Sequence, residues 1–145
     1  MKSLLDSAAR QDILTRLEKL TDSSPRQWGK MTPGQMLAHL IDLFEVTFAE
    51  RPVTVRKGFM NSAFGRWMLS TMPLPKNAQT DPEYLKRPVG NFEADKTLVM
   101  EYIKRFATPD KFTFGASPWV GQMTAEQWAK SHYTHLNHHL RQFNC

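Results

Sequence analysis

The sequence predicts an all-α protein, a four-helix bundle with one accessory helix. Apolar residues recur at helical spacing in four separate segments, the periodicity of helices that bury one face. Two of these segments begin with a capping box, Thr32–Gln35 and Thr124–Gln127. A long proline-rich stretch separates the second segment from the third, which predicts a long crossover between helices 2 and 3 rather than a hairpin. Strand signals are weak in comparison.

The first two bundle helices are predicted at about 7–21 and 33–50. A turn at 22–25 ends the first helix, because its Asp, Ser and Pro residues favour turns and disfavour a helix before them. The second helix has Thr32 as its N-cap and should end before Pro52. Their apolar faces consist of Ile13, Leu14, Leu17 and Leu20 in the first helix, and Met36, Leu37, Leu40, Leu43, Phe44 and Phe48 in the second.

The stretch 51–90 divides into an accessory helix near 57–71 and a loop. One side of this helix is apolar, and we expect it to pack as core or as a lid rather than to bind a partner. That side carries Phe59, Met60, Ala63, Phe64, Trp67 and Met68. The loop contains Pro73, Pro75, Pro82 and Pro88. Loops of this length are uncommon inside a compact domain and are often functional.

The other two bundle helices are predicted at about 92–107 and 124–143, with a linker at 108–123. The apolar face of the earlier one consists of Phe92, Leu98, Val99, Tyr102, Ile103 and Phe106. A chain of 145 residues is long enough to bury a core without disulfides or metals as staples. We therefore expect one helical domain, 1–145.

The composition limits the classes of function. No run approaches the roughly 18 apolar residues of a membrane span, so we expect no membrane partner. The single cysteine, Cys145, allows no internal disulfide and favours a cytoplasmic location. The net charge is +5, but the lysines and arginines are scattered with acids among them. Specific nucleic-acid binding is therefore not expected.

The histidines carry the strongest chemical signal. Four of the five lie between residues 132 and 139. On a helix, positions i and i+4 project side by side, about 40° apart, so His135 and His139 can hold one cation about 2 Å from each ring. His39, beside the apolar stripe of the second helix, can supply a third ligand. Three protein ligands leave a coordination position open, as catalytic sites do.

Spacing alone leaves a metal site and a buried hydrogen-bonded histidine cluster equally favoured. His132 is a near neighbour of the pair, whereas His138 points about 100° away from His139. Asp42 and Glu45 lie close to His39 in sequence, but solvated surface acids are the favoured interpretation. Tyr133, Asn137 and Gln142 are candidates to hydrogen-bond the ligands.

The residues that end the chain resemble a known superfamily. His39 on a capped helix, with His135-Leu-Asn-His138-His139 and then Arg141-Gln142 on the last helix, is similar to the DinB/YfiT-like four-helix metal-dependent proteins. Longer stretches resemble one bacterial branch of it, namely Trp28–His39, Pro75–Pro82 and Gly121–Trp128. The resemblance covers essentially the whole chain. The sequence departs from the superfamily at Leu140, which separates His139 from the arginine, and at Ser117, where the branch often has a histidine.

The resemblance implies an up-down-down-up bundle, often a homodimer, that holds a divalent metal, zinc or nickel above all. The implied ligands are His39, His135 and His139. Relatives include thiol-dependent transferases, so a low-molecular-weight thiol and a small-molecule substrate are implied partners. The sequence thus favours a metal-dependent enzyme, a thiol-dependent transferase or a hydrolase. The alternatives are a non-catalytic metal or small-ligand binding protein on the same scaffold, and a helical interaction protein without metal.

Overall fold

The computed structural model describes residues 1–145 and is mostly helical. Its five α-helices are α1 (Ser7–Glu18), α2 (Pro33–Thr47), α3 (Ala63–Thr71), α4 (Phe92–Arg105) and α5 (Ala125–Gln142). Two short 3-10 helices occupy Pro82–Tyr84 and Pro109–Lys111. Strands β1 (Ala116–Ser117) and β2 (Gly121–Gln122) form one antiparallel pair inside the predicted linker. No helix combines the length and the apolar character that a membrane span requires.

Both predicted capping boxes are formed. The Thr32 hydroxyl accepts a hydrogen bond from the Gln35 amide at 3.1 Å, and the Gln35 side chain accepts one from the Thr32 amide at 2.9 Å. Thr124 and Gln127 make the same reciprocal pair at 3.2 and 3.0 Å. These bonds satisfy amide groups that the first helical turn leaves without partners. The starts of α2 and α5 are therefore fixed by their own sequence.

The ends of three helices differ from the predictions. Helix α2 stops at Thr47 rather than residue 50, because Ala49 adopts a left-handed conformation with φ 55°. Helix α3 starts at Ala63 rather than near 57, since the Ser62 side chain caps it by accepting a hydrogen bond from the Gly65 amide. Helix α1 ends at Glu18 instead of continuing to residue 21.

Helix α2 is the centre of the fold. Thirteen of its fifteen residues are buried, so neighbours surround it instead of covering a single stripe. Helix α4 packs against α2, α1 packs against both α4 and α5, and α3 packs against α5. Polar residues of α2 therefore lie in the interior, where each needs a hydrogen-bond partner. His39 and Asp42 are only 3% and 2% exposed.

Asp42 fixes the segment that follows the 3-10 helix at Pro82–Tyr84. Its carboxylate accepts hydrogen bonds from the backbone amide of Arg87 at 2.8 Å and from the guanidinium of Arg51 at 3.2 Å. The same guanidinium donates to the carbonyl of Glu83 at 2.8 Å. Asp42 is thus a buried structural acid, and the expectation that it is a solvated surface acid is wrong. Its position in α2 holds part of the predicted loop against the core.

We expect Asp42→Ala to lower the free energy of unfolding by about 2–3 kcal/mol, because it removes a charged acceptor and leaves buried donors without a partner. Urea unfolding followed by circular dichroism measures the change. Asp12→Ala is the matched control, since Asp12 pairs with Arg16 at the surface and should cost less than about 1 kcal/mol. Equal losses in the two variants would contradict the structural role of Asp42.

Candidate metal centre

Three histidine rings converge between α2 and α5. The Nε2 atom of His135 lies 3.0 Å from Nε2 of His39 and 2.9 Å from Nε2 of His139. One ligand atom from each of the three residues lies within 4.8 Å of the others. His135 and His139 occupy successive turns of α5, and His39 faces them from α2. The structure therefore brings together the three residues predicted from the sequence.

A backbone carbonyl fixes the tautomer of His39. Its Nδ1 atom lies 2.9 Å from the carbonyl oxygen of Tyr84. A carbonyl oxygen only accepts hydrogen bonds, so Nδ1 of the neutral ring carries the hydrogen. The Nε2 atom of His39 is then left with a lone pair, and this lone pair points toward His135.

A side-chain amide fixes the tautomer of His139 in the same way. The amide nitrogen of Gln142 donates to the carbonyl oxygen of Trp28 at 2.9 Å, which orients the amide group. Its oxygen lies 2.8 Å from Nδ1 of His139, so this nitrogen carries the ring hydrogen. The lone pair on Nε2 of His139 is therefore also directed at His135. Gln142, a candidate from the sequence, does contact a predicted ligand.

These two tautomers leave His135 with one hydrogen too few. Its Nε2 atom faces two lone pairs and can donate to only one of them. A cation accepts all three lone pairs at once. Nitrogen atoms about 2.0–2.1 Å from a shared metal lie about 2.8–3.4 Å apart at bond angles between about 90° and 109°. The observed separations of 2.9 and 3.0 Å lie within this range, and the third pair of ligand atoms lies within 4.8 Å.

Burial keeps the three rings neutral. Desolvation lowers the pKa of His39, and it lowers the pKa of His139 to about 3. Desolvation, followed by the neighbouring histidines, holds the pKa of His135 well below its ordinary value. Neutral imidazole is the form that binds metals, so at neutral pH no proton competes for the converging nitrogens.

One comparison with known proteins gives a match. The chain belongs to the family described as "Protein of unknown function (DUF1569)". The family profile matches residues 1–145. Neither a curated protein nor a solved structure matches the chain. The match covers the whole chain, but the family description names no activity, so the chemistry of the site is the evidence for function.

A cavity of about 310 Å³ lies beside the three histidines. All three line it, together with the half-buried ring of His138. Its apolar lining consists of Leu43 from α2, Leu69 from α3, Trp128 from α5, and Met60, Met72, Leu74 and Trp119 from the connecting segments. A molecule in the cavity can therefore reach the side of the cluster that the protein does not occupy.

Helix α3 and the residues just before it have an inward side and an outward side. Met60 and Leu69 turn inward and line the cavity, as expected of a lid. Phe59, Phe64 and Trp67 were expected on the same packed face, yet they are 79%, 58% and 56% exposed. The expectation of a single packed face is wrong for two reasons. Helix α3 starts only at Ala63, so the helical spacing assumed for residue 59 does not apply, and the helix buries the side that carries Gly65 and Ser70 rather than the side of Phe64 and Trp67.

His132 lies outside the cluster. The hydroxyl of Thr47 donates to the carbonyl of Leu43, so it accepts from Nε2 of His132 at 2.8 Å. The ring stacks on Phe44 with centroids 4.3 Å apart, and its Nδ1 atom has no partner. Burial lowers the pKa of His132 to about 3. This histidine is a packed core residue rather than a fourth ligand.

The acids near the cluster are engaged elsewhere. Asp81 is the carboxylate that lines the cavity, and it is paired with the guanidinium of Arg56 at 2.9 Å. Glu45 lies 3.7 Å from Arg51 and 3.8 Å from Arg87, in the ion-pair network around Asp42. Neither Asp42 nor Glu45 lines the cavity. The cavity therefore has no unpaired carboxylate to act as a general base.

The pH dependence of stability should report His132. Its folded-state pKa is about 3, against about 6.5 in the unfolded chain, so the unfolded state binds more protons as the pH falls below 6.5. The free energy of unfolding then falls by up to about 1.4 kcal/mol per pH unit for each such histidine. We expect His132→Phe to make this slope between pH 6 and pH 4 shallower by about one proton.

Urea unfolding of metal-free protein at several pH values measures these slopes. Tyr133→Phe is the control, because it changes the neighbouring side chain and leaves all five histidines in place. An unchanged slope in His132→Phe would mean that the ring is not held neutral in the folded state.

Proposed function

We propose that this chain binds one divalent metal ion through the Nε2 atoms of His39, His135 and His139, and that it is a metal-dependent enzyme. The observation that carries the proposal is the pair of hydrogen bonds at Nδ1 of His39 and His139, which direct two lone pairs at His135. Without metal, Nε2 of His135 can donate a hydrogen bond to only one of these lone pairs, and the other has no partner. The metal interpretation is therefore favoured over the hydrogen-bonded cluster.

The donor set favours zinc or nickel. All three candidate ligands are imidazole nitrogens, and no carboxylate or thiolate joins the group. Calcium and magnesium prefer oxygen ligands, whereas zinc and nickel accept imidazole readily. The buried rings are neutral, which is the ligand form that these metals need.

The proposed reaction is either transfer to or from a low-molecular-weight thiol, or hydrolysis. A bound divalent metal would lower the pKa of a thiol or of water and so provide a nucleophile at neutral pH. The chain itself contributes a largely apolar cavity next to the ligands, in which a small substrate can lie beside the metal. The thiol-dependent reaction makes the smaller demand on the protein, because it needs no carboxylate base in the cavity.

A non-catalytic metal or small-ligand binding protein is the alternative. Its support is the pairing of Asp81 with Arg56, which leaves the cavity without a free general base. Assays of thiol-transfer and ester substrates, each with and without chelator, separate the two functions. Chelator-sensitive turnover supports the enzyme, and metal-loaded protein that is inert on every substrate class supports the binding protein.

We also propose that α1, α2, α4 and α5 form a four-helix bundle of the DinB/YfiT-like kind, in the order up-down-down-up. The support is that α2 packs against α4 and that α1 packs against α4 and α5. The contact of His39 with His135 adds a link between α2 and α5. A crystal structure is expected to show these four helices in that order, and a different order of helix directions would contradict the proposal.

We expect protein purified without a histidine tag to contain about one equivalent of zinc or nickel, measured by element-specific mass spectrometry. His135→Ala should lose this metal, because two remaining ligands hold a divalent ion far more weakly. His132→Phe is the matched control, since it removes a buried histidine of the same helix that contacts none of the proposed ligand nitrogens. Retention of the metal by His135→Ala, or absence of metal from wild-type protein even after loading, would contradict the proposal.

The hydrogen bond from His139 to Gln142 should tune the affinity for metal. We expect Gln142→Leu to weaken zinc binding by about 10–100-fold, because the Nδ1 hydrogen of His139 loses its acceptor and the ring is no longer oriented. Competition with a chromophoric chelator measures the dissociation constant. Gln11→Leu, at an exposed position of α1, should leave it unchanged. Equal affinities in the two variants would exclude an orienting role for Gln142.

A further inference from the structure

We infer that the cavity selects an uncharged small molecule with an apolar body, whose polar end lies at His135. The role of that polar end at the metal rests on the proposed function. The apolar and uncharged character of the ligand's body follows from the residues that line the cavity alone. The apolar, uncharged body and the position of the polar end at the metal can therefore be tested separately.

Apolar side chains make up most of the surface that lines the cavity. Met60, Leu69, Met72 and Leu74 come from α3 and its flanking segments, and Trp119 and Trp128 add two indole rings. A smaller polar part of the lining comes from Gln79, Thr80 and Ser117. Burial of a ligand's apolar surface against the apolar side chains favours binding. The Met and Leu side chains offer no hydrogen bond, so the part of a ligand that lies against them must be apolar.

No free charge faces the cavity. Its lining contains no lysine or arginine, and its one carboxylate, Asp81, is neutralised by Arg56. A charged group on the body of a ligand would lose its hydration without gaining a counter-charge, which is unfavourable. The metal would supply positive charge only at the histidine end. The body of the ligand is therefore uncharged.

Polar groups gather near the histidines. Ser131 and Thr134 lie four residues and one residue before His135 on α5, and both line the cavity. Both side chains keep partial exposure, so their hydroxyls can donate to or accept from a ligand. The ligand thus places its polar end beside these hydroxyls and the histidines, and its apolar body against the side chains of residues 60–74.

The size of the cavity sets the size of the ligand. A volume of about 310 Å³ is at the lower end of the range for small-molecule sites, about 300–1,000 Å³. A single small organic molecule fills it. A peptide or a nucleic acid strand is too large for the enclosed part.

Two dyes with the same ring skeleton test the charge selection on metal-free protein. N-phenyl-1-naphthylamine is uncharged, and 8-anilinonaphthalene-1-sulfonate adds a sulfonate. We expect the uncharged dye to bind at one equivalent with enhanced fluorescence, and the sulfonate to bind at least about tenfold more weakly. Equal affinities for the two dyes, or no binding of the uncharged one, would overturn the inference.

Variants locate the bound dye. We expect Leu69→Trp, which fills the cavity, to weaken binding of the uncharged dye by at least about tenfold. Ser131→Phe fills the cavity from α5, and it replaces Leu69→Trp in the test if Leu69→Trp alters the circular dichroism spectrum. The matched control is the double variant Phe64→Ser and Trp67→Ser, which removes exposed aromatic rings of α3 and should leave binding unchanged. Loss of binding only in this control would place the dye on the outer surface and contradict the inference.

Metal content, measured separately, distinguishes the two ideas. Metal-loaded protein that fails to bind the uncharged dye would overturn the ligand class and leave the metal proposal standing. Protein that binds the dye as expected but takes up no metal would overturn the proposed function and leave the ligand class of the cavity supported.

Discussion

The candidate site depends on two hydrogen bonds that lie behind the histidines rather than between them. The carbonyl of Tyr84 and the side-chain amide of Gln142 each accept from an Nδ1 atom, and both ring lone pairs consequently meet at His135. Without these acceptors, either ring could adopt the other tautomer and satisfy His135 as an ordinary hydrogen-bonded neighbour. The arrangement prepares three nitrogens to act together as ligands.

The rest of the structure keeps these acceptors in place. Asp42 and Arg51 hold the segment that contains Tyr84 against the central helix. The carbonyl of Trp28 orients the Gln142 amide. The next residue, Gly29, has φ 75°, and a Cβ atom at this position would lie only 2.6 Å from the Gln142 amide nitrogen. Segments with irregular backbone therefore have a specific role, since they supply partners for polar groups buried in α2 and α5.

The sequence could predict the helices, their caps and the pairing of His135 with His139, because these features are local and periodic. His39 came from its position on a capped helix and from the family resemblance. The Tyr84 acceptor was not predictable, because any residue can present a carbonyl and the contact leaves no side-chain signature. The burial of Asp42 was missed for another reason: a stripe of apolar residues predicts one covered face, whereas α2 is surrounded. The cavity depends on segments distant in sequence, so no local pattern indicates it.

The most direct test of the central claim is the protonation of the histidine nitrogens in metal-free protein at neutral pH. Long-range proton–nitrogen NMR correlation of ¹⁵N-histidine-labelled protein distinguishes Nδ1 from Nε2 and protonated from unprotonated nitrogen. The structure predicts hydrogens on Nδ1 of His39 and His139 and bare Nε2 atoms on both, with these Nε2 signals shifting when zinc is added. Hydrogens on Nε2, or charged rings, would contradict the account, because the lone pairs would then not converge on His135.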